Sequence, residues 1–165
     1  MATTALRGNP VHTNGDLPTL GSKAPSFSLV KQDLSSIGLE SLAGKTVVLN
    51  IFPSIDTPTC ATSVRKFNEK AASLKDVVVV CASKDLPFAA KRFCGAEGIE
   101  NVVTGSSFRD DSFESAYGVK LIDGPLQGIM ARSVVVIGPD GHVKHVELVP
   151  EIGSEPNYEA ALAAI

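Results

Sequence analysis

The sequence lacks the features that would mark a membrane-bound, secreted or nucleic-acid-binding protein. No apolar run approaches the ~18–20 residues of a membrane span, and Met1–Arg7 has no basic segment leading into an apolar one. Lysine and arginine number 15 against 18 aspartates and glutamates, which gives a net charge of −3. Contacts with phosphates need a basic surface, so nucleic acid is disfavoured as a partner. We therefore expect a cytoplasmic protein that binds neither nucleic acid nor membranes.

Cysteine is scarce as well, since Cys60, Cys81 and Cys94 are the only three in 165 residues. Three cysteines are too few for a disulfide scaffold, and an odd number leaves at least one of them unpaired. In a reducing compartment, cysteines are more often buried, bound to a metal or chemically active than bridged. Which of these roles applies to each cysteine is the main question that the sequence raises.

Repeats, low-complexity tracts and charge blocks are also absent, so we predict a single domain over residues 1–165. A chain of this length, with 44% hydrophobic residues, can bury a core without disulfides or metals. The turn signals Gly8-Asn9-Pro10 and Asn14-Gly15-Asp16 separate short β-prone pieces near the N-terminus. Residues 1–20 are therefore predicted to form an appended N-terminal β-hairpin.

Buried strands and amphipathic helices alternate along the rest of the chain. Apolar, β-branched runs typical of strands covered on both faces occupy Thr46–Phe52, Val77–Ala82 and Ser133–Ile137. Between the first two, one helical face carries Val64, Phe67, Ala71 and Leu74, which makes a βαβ unit. Further predicted elements are a strand over Ser26–Val30, a strand over His142–Leu148, a short helix over Leu86–Gly95 that ends at Gly95, and a helix over Asn157–Ile165. The predicted class is α/β, with a central mixed sheet of about five core strands flanked by helices on both faces.

Cys60 falls at a predicted helix start. Thr57 followed by Pro58 is a typical N-cap and first helical residue, so Cys60 lies in the first turn. Unpaired N–H groups and the helix dipole favour a thiolate over a neutral thiol there. Cys60 also follows the C-terminal end of a predicted parallel strand, which is where α/β folds place their functional sites. Position alone leaves two interpretations open, a reactive thiol or a small hydrophobe packed beneath the helix.

The other two cysteines have less informative surroundings. Cys94 lies at the end of its predicted helix, and both a structural and a chemical role remain open. Cys81 continues a run of four valines, which favours structural burial. A zinc site could draw on His142 and His145. However, no Cys-x-x-Cys pair exists, and a spacing of three in a strand puts the two histidines on opposite faces. We therefore expect no metal.

Three blocks of sequence, in order, match a known pattern. Pro53-x-x-x-Thr57-x-x-Cys60 directly follows an apolar strand and belongs to a longer block, Asn50–Asn68. A second block, Ser83–Val102, carries Cys94, and a third runs from Asp123 to Ile137. Together the blocks resemble the peroxiredoxin family, and within it the atypical two-cysteine thiol peroxidases.

The resemblance implies a thioredoxin-like fold and the reduction of hydrogen peroxide and organic hydroperoxides to water and alcohols. Cys60 would be the peroxidatic cysteine and Cys94 the resolving cysteine of an intramolecular disulfide. Thr57 and Arg132 would complete the site, and Pro53 would shield it. Thioredoxin would reduce the disulfide again, and the protein would be a homodimer. The resemblance implies no metal or organic cofactor.

Physical chemistry is compatible with these roles but leaves alternatives. A fixed guanidinium and a hydroxyl can stabilise charge that moves onto the peroxide oxygens. Without the resemblance, Arg132 reads as a solvent-facing residue at a strand end and Thr57 as a helix cap. A non-catalytic thioredoxin-fold binding module remains the alternative from another class. A thioredoxin-type dithiol–disulfide oxidoreductase is disfavoured, because Thr57-Pro58-Thr59-Cys60 stands where that class has Cys-x-x-Cys.

Overall fold

A seven-stranded mixed sheet forms the centre of the computed structural model, which describes all of residues 1–165. The strands are β1 (Thr3–Leu6), β2 (Asn9–His12), β3 (Ser28–Val30), β4 (Ser36–Gly38), β5 (Thr46–Ile51), β6 (Val77–Ser83), β7 (Val103–Ser106), β8 (Ser133–Ile137) and β9 (Val143–Leu148). The helices are α1 (Pro58–Ala71), α2 (Pro87–Glu97), α3 (Ser112–Tyr117) and α4 (Tyr158–Ala163), with a 3₁₀ turn over Leu39–Leu42. None of the helices is long and apolar enough to cross a membrane.

The sheet has the strand order β4-β3-β7-β6-β5-β8-β9, and β1 with β2 forms a separate hairpin. Strands β5, β6 and β7 run parallel to one another, whereas β8 and β9 are antiparallel to their neighbours. Every residue of β5 is buried, because helices or loops cover both faces of this central strand. The apolar run over residues 46–52 is the sequence counterpart of that burial.

Alternate residues of the central strands face two apolar layers. On one face the strands pack against Phe27, Phe113 and Tyr117. On the other face, α1, α2 and α4 cover the sheet, and this layer contains Cys60, Cys81 and Cys94 together. All three cysteines therefore lie in the same layer, between the sheet and its helices.

The structure confirms most predicted elements, including the N-terminal hairpin, and corrects others. The sheet has seven strands where about five were predicted, because β4 and β7 are short segments with weak apolar patterns. Helix α3 was not predicted. The prediction that the second helix ends at Gly95 is wrong: α2 continues to Glu97, and Gly98 ends it with a left-handed backbone at φ 66°. Leu74 lies beyond α1, which ends at Ala71.

Candidate active site

Cys60 is the third residue of α1, as the Thr57-Pro58 signal predicts. Its side chain is fully buried, with 0% exposure. Thr57 occupies the N-cap position, but its hydroxyl does not accept a hydrogen bond from the first turn. Instead the Thr57 hydroxyl donates to the Ser54 carbonyl at 3.0 Å. The N–H groups at the start of α1 therefore have no side-chain cap, and their partial positive charge acts beside Cys60.

Strand pairing brings Arg132 to the same place. β5 and β8 are antiparallel with Ile51 opposite Ser133, so Arg132 stands beside the end of β5, where the chain leads into α1. The Arg132 Nη2 donates to the Cys60 Sγ at 3.2 Å, and Nε donates to the Ile152 carbonyl at 2.7 Å. Arg132 is therefore not the solvent-facing residue of the alternative interpretation: its exposure is 2%.

The guanidinium of Arg132 has no carboxylate partner. None of the ion pairs in the structure includes it, and its buried Nη1 has no hydrogen-bond acceptor. A buried charge without a counter-ion is costly. A thiolate at Cys60 would supply the missing negative charge, and Nη1 is free to donate to a further oxygen atom.

Three of the predicted site residues border one cavity of about 640 Å³. Pro53, Thr57 and Arg132 line one side of it, and Cys60 lies buried directly behind Arg132. The remaining wall is largely apolar and includes Leu6, Val11, Leu126, Ile129 and Ile152. Sequence reasoning missed this wall and the Ile152 carbonyl, because neither the hairpin nor the loop after β9 carries a recognisable motif.

Cys81 and Cys94 have surroundings that keep a thiol neutral. Burial raises the pKa of the Cys81 thiol to about 12, opposed in part by a hydrogen bond from Asn50. Burial also raises the pKa of the Cys94 thiol, and a hydrogen bond with the Gln32 side chain opposes this rise in part. Neither has an arginine contact like that of Cys60. All three cysteines are free thiols in this structure.

A buried polar chain links the strand cysteine to the active-site helix. The Asn50 side-chain amide donates to the Ser63 hydroxyl at 3.2 Å and approaches the Cys81 Sγ at 3.7 Å. The Ser63 hydroxyl donates to the Cys60 carbonyl at 2.8 Å. These hydrogen bonds hold the first turn of α1 against β5. Cys81 takes part in them as a packed side chain, which agrees with a structural role.

Together these features define a class: an α/β protein with a thioredoxin-like sheet, in which a cysteine at a helix N-terminus contacts a buried arginine. A comparison with family models agrees, since the redoxin model matches residues 19–162, and the chain belongs to the redoxin family. The thiol peroxidases of Mycobacterium bovis and Mycobacterium tuberculosis are each 60% identical to it, over 100% of this chain and 99% of theirs.

Solved structures support the same assignment. A peroxiredoxin-like protein from Aquifex aeolicus superposes with a TM-score of 0.93 at 41% identity, covering 99% of this chain and 96% of that one. The thiol peroxidase from Chromobacterium violaceum has a TM-score of 0.90 at 20% identity, over 99% and 95% of the two chains. The second comparison bears on the fold alone, and the predicted thioredoxin-like fold is confirmed.

Proposed function

We propose that the chain is a peroxiredoxin of the thiol peroxidase type, which reduces hydrogen peroxide and organic hydroperoxides. The observation that carries the proposal is the 3.2 Å contact between the Arg132 guanidinium and the Cys60 sulfur in the first turn of α1. Both the guanidinium and the helix N-terminus place positive charge beside the sulfur, and the thiolate is the nucleophilic form of cysteine. The 60% identity with mycobacterial thiol peroxidases supports the same activity.

In the first step, the Cys60 thiolate attacks one oxygen of the hydroperoxide. A sulfur–oxygen bond forms and the oxygen–oxygen bond breaks, so Cys60 is oxidised to a sulfenic acid. The other oxygen leaves with the electron pair, takes up one proton and becomes water or an alcohol. We assign Arg132 and Thr57 to stabilising charge on the two oxygens, and Pro53 to shielding the thiolate from water.

In the second step, the Cys94 thiol attacks the sulfenic sulfur. A disulfide forms, and the hydroxyl group leaves with the proton of Cys94 as water. A disulfide needs Cα atoms about 4.4–6.8 Å apart, whereas the two free cysteines are packed in separate helices. We infer that the helix ends near Cys60 and Cys94 unwind locally after oxidation.

A thioredoxin-type dithiol completes the cycle. Exchange with the disulfide returns Cys60 and Cys94 to thiols and leaves the reductant as a disulfide, so two electrons and two protons pass to the enzyme. No metal or organic cofactor takes part in this scheme. A reducing cytoplasm, which maintains such a dithiol pool, is the proposed compartment. We also propose that residues 1–165 act as one domain. We further propose that the protein is a homodimer, and light scattering of the purified protein tests this oligomeric state.

Hydroperoxide-dependent oxidation of thioredoxin by the purified protein tests the function. We expect turnover that survives metal chelation, is lost in Cys60→Ser and is retained in the matched variant Cys81→Ser. A non-catalytic binding module would give no turnover in the intact, reduced protein, and that result would refute the proposal. A dithiol oxidoreductase would exchange disulfides with thioredoxin but would consume no peroxide.

A further inference from the structure

One carboxylate outside the cysteine site joins the two cysteine-bearing segments. Asp85 lies between the end of β6 and the start of α2, the helix that carries Cys94. Its Oδ1 accepts a hydrogen bond from the Ser54 hydroxyl at 2.8 Å, and its Oδ2 accepts one from the Ile55 N–H at 2.7 Å. Both donors belong to the loop that leads into Cys60. The two contacts join residues 31 and 30 positions apart. They connect the two segments whose cysteines must form a disulfide.

The sheet explains why these groups meet. β5 and β6 are parallel, with Ile51 opposite Ala82, so the residues that follow both strands emerge side by side. The Phe52 N–H still donates to the Ala82 carbonyl at 3.1 Å beyond the end of β5. Asp85 therefore reaches the loop over residues 53–57 from a neighbouring strand end.

Asp85 is itself held in place. The Ser83 hydroxyl donates to Oδ2 at 2.7 Å, and the Ser106 hydroxyl at the end of β7 donates to the Asp85 carbonyl at 2.5 Å. Hydroxyl groups at two strand ends thus hold Asp85, which lies in the short loop between β6 and α2. Groups fixed in this way can position a neighbouring site to within a fraction of an ångström.

Ser54 passes this constraint to Thr57. The Ser54 carbonyl accepts hydrogen bonds from the Thr57 N–H at 3.2 Å and from the Thr57 hydroxyl at 3.0 Å. The Ser54 hydroxyl, which donates to Asp85, also accepts from the Asp56 N–H at 3.2 Å. Asp85 therefore acts on the orientation of Thr57 through a single intervening residue.

We propose that Asp85 is a positioning residue that holds the Ser54–Thr57 loop in its peroxide-reactive shape, and that its contacts must break before Cys94 can reach Cys60. The inference rests on the proposed function. Two exposed ion pairs, Arg92–Asp56 and Arg65–Glu97, also join α2 to this region, each at 2.8 Å. Exposed pairs contribute little, so the half-buried Asp85 carboxylate is the principal connection.

The test compares Asp85→Ala with Ser54→Ala and with Asp33→Ala. Asp33 is a matched control, because it also accepts hydrogen bonds from a serine N–H and a serine hydroxyl but lies in an exposed turn between β3 and β4. We expect Asp85→Ala to slow single-turnover oxidation of Cys60 by hydrogen peroxide by about 10- to 100-fold. Disulfide formation from the sulfenic acid should be as fast as in the unchanged protein or faster, and Asp33→Ala should alter neither step.

Two further readouts separate positioning from general destabilisation. The first is alkylation of Cys60 by iodoacetamide, a reaction in which Thr57 has no role; its rate should not fall in Asp85→Ala. The second is a double-mutant cycle: the variant that carries both Asp85→Ala and Ser54→Ala should lose little more peroxide reactivity than Asp85→Ala alone. A parallel loss of both reactivities would indicate a merely structural role and overturn the inference, as would peroxide rates unchanged in Asp85→Ala and Ser54→Ala. If Asp85→Ala fails to fold, Ser54→Ala decides the question.

Hydrogen exchange distinguishes failure of this inference from failure of the proposed function. The amides of residues 55–57 should exchange faster in Asp85→Ala than in the unchanged protein. Their exchange rates in Asp33→Ala should equal those of the unchanged protein, whether or not the protein consumes peroxide. Absence of any peroxide reaction in the unchanged protein would refute the proposed function alone. Unchanged exchange in Asp85→Ala would refute the role of Asp85, even in an active enzyme.

Discussion

Replacing Arg132 by methionine tests the central contact of the site. The substitution keeps an apolar stem in the buried position and removes the guanidinium that donates to the Cys60 sulfur at 3.2 Å. A hydrogen bond to a charged group contributes about 1.5–3 kcal/mol. Each ~1.4 kcal/mol of barrier is a factor of ten in rate, so complete loss in the transition state slows Cys60 oxidation by roughly 10- to 150-fold.

The same substitution acts on folding in two opposing ways. It leaves the Ile152 carbonyl without the donor that Nε provides at 2.7 Å, which is destabilising. It also removes a buried charge that has no carboxylate partner, which is stabilising. The two effects partly cancel, so we expect the variant to remain folded at temperatures where the reaction is measured.

Single-turnover oxidation at neutral pH, measured in a Cys94→Ser background where the sulfenic acid persists and followed by the gain of one oxygen on Cys60, measures the effect. Arg109→Met is the matched control, because Arg109 lies over the exposed Phe108 ring and contacts no cysteine. Ultraviolet absorbance of the thiolate, recorded on both variants, shows whether the loss comes from a smaller thiolate fraction or from a slower reaction. Oxidation of Arg132→Met at the unchanged rate would refute the reasoning, since the guanidinium would then act on neither the thiolate nor the peroxide.

The remaining predictions concern the other two cysteines and helix α2. Cys81→Ser should keep full turnover while losing ~1–3 kcal/mol of stability, because a hydroxyl replaces a thiol in an apolar layer; loss of turnover in the folded variant would contradict the structural role of Cys81. Because burial raises the Cys81 pKa from 9.0 to about 12, its contribution to stability is complete below pH 9.0 and is lost as the pH rises towards 12; denaturant titrations of Cys81→Ala should therefore show a shallower alkaline decline than the unchanged protein. Cys94→Ser should accumulate the Cys60 sulfenic acid and pass to sulfinic acid at high peroxide, as mass spectrometry would detect; a disulfide-bonded product would contradict the resolving role of Cys94. Gly98→Ala strains the left-handed end of α2 by about 1–2 kcal/mol and should speed disulfide formation, whereas Gly95→Ala, within the helix, should slow it; equal rates would show that unwinding of α2 does not limit resolution.

Much of the fold could be predicted because its central strands are locally marked. The runs over Thr46–Ile51 and Ser133–Ile137 are buried on both faces, and such burial requires apolar, β-branched residues at nearly every position. The start of α1 could be predicted for a related reason, since Thr57 and Pro58 have backbone preferences that suit a helix N-terminus. In both cases the determining interaction lies within a few residues.

Elements whose own residues carry weak or ambiguous patterns could not be predicted. The three residues of β4 are held by β3, and without that partner Ser36-Ile37-Gly38 has no pattern. The end of α2 is similar, because Gly95 and Gly98 are both compatible with a helix end. The position of the left-handed residue decides between them, and it allows the Gly98 N–H to donate to the Cys94 carbonyl.

The candidate site combines both kinds of information. The helix-start signal in the residues next to Cys60 is enough to predict its position. The contact with Arg132, in contrast, joins residues 72 positions apart and depends on the pairing of β8 with β5, which puts Ser133 opposite Ile51. The parallel register of β6 with β5 likewise delivers Asp85 to Ser54. One central strand thus sets the distance from the reactive sulfur to its arginine and from the active-site loop to its carboxylate. A shift of the β5–β8 register by one residue would turn the Arg132 side chain to the opposite face of the sheet, so the chemistry of this site is fixed by strand pairing as much as by its motif.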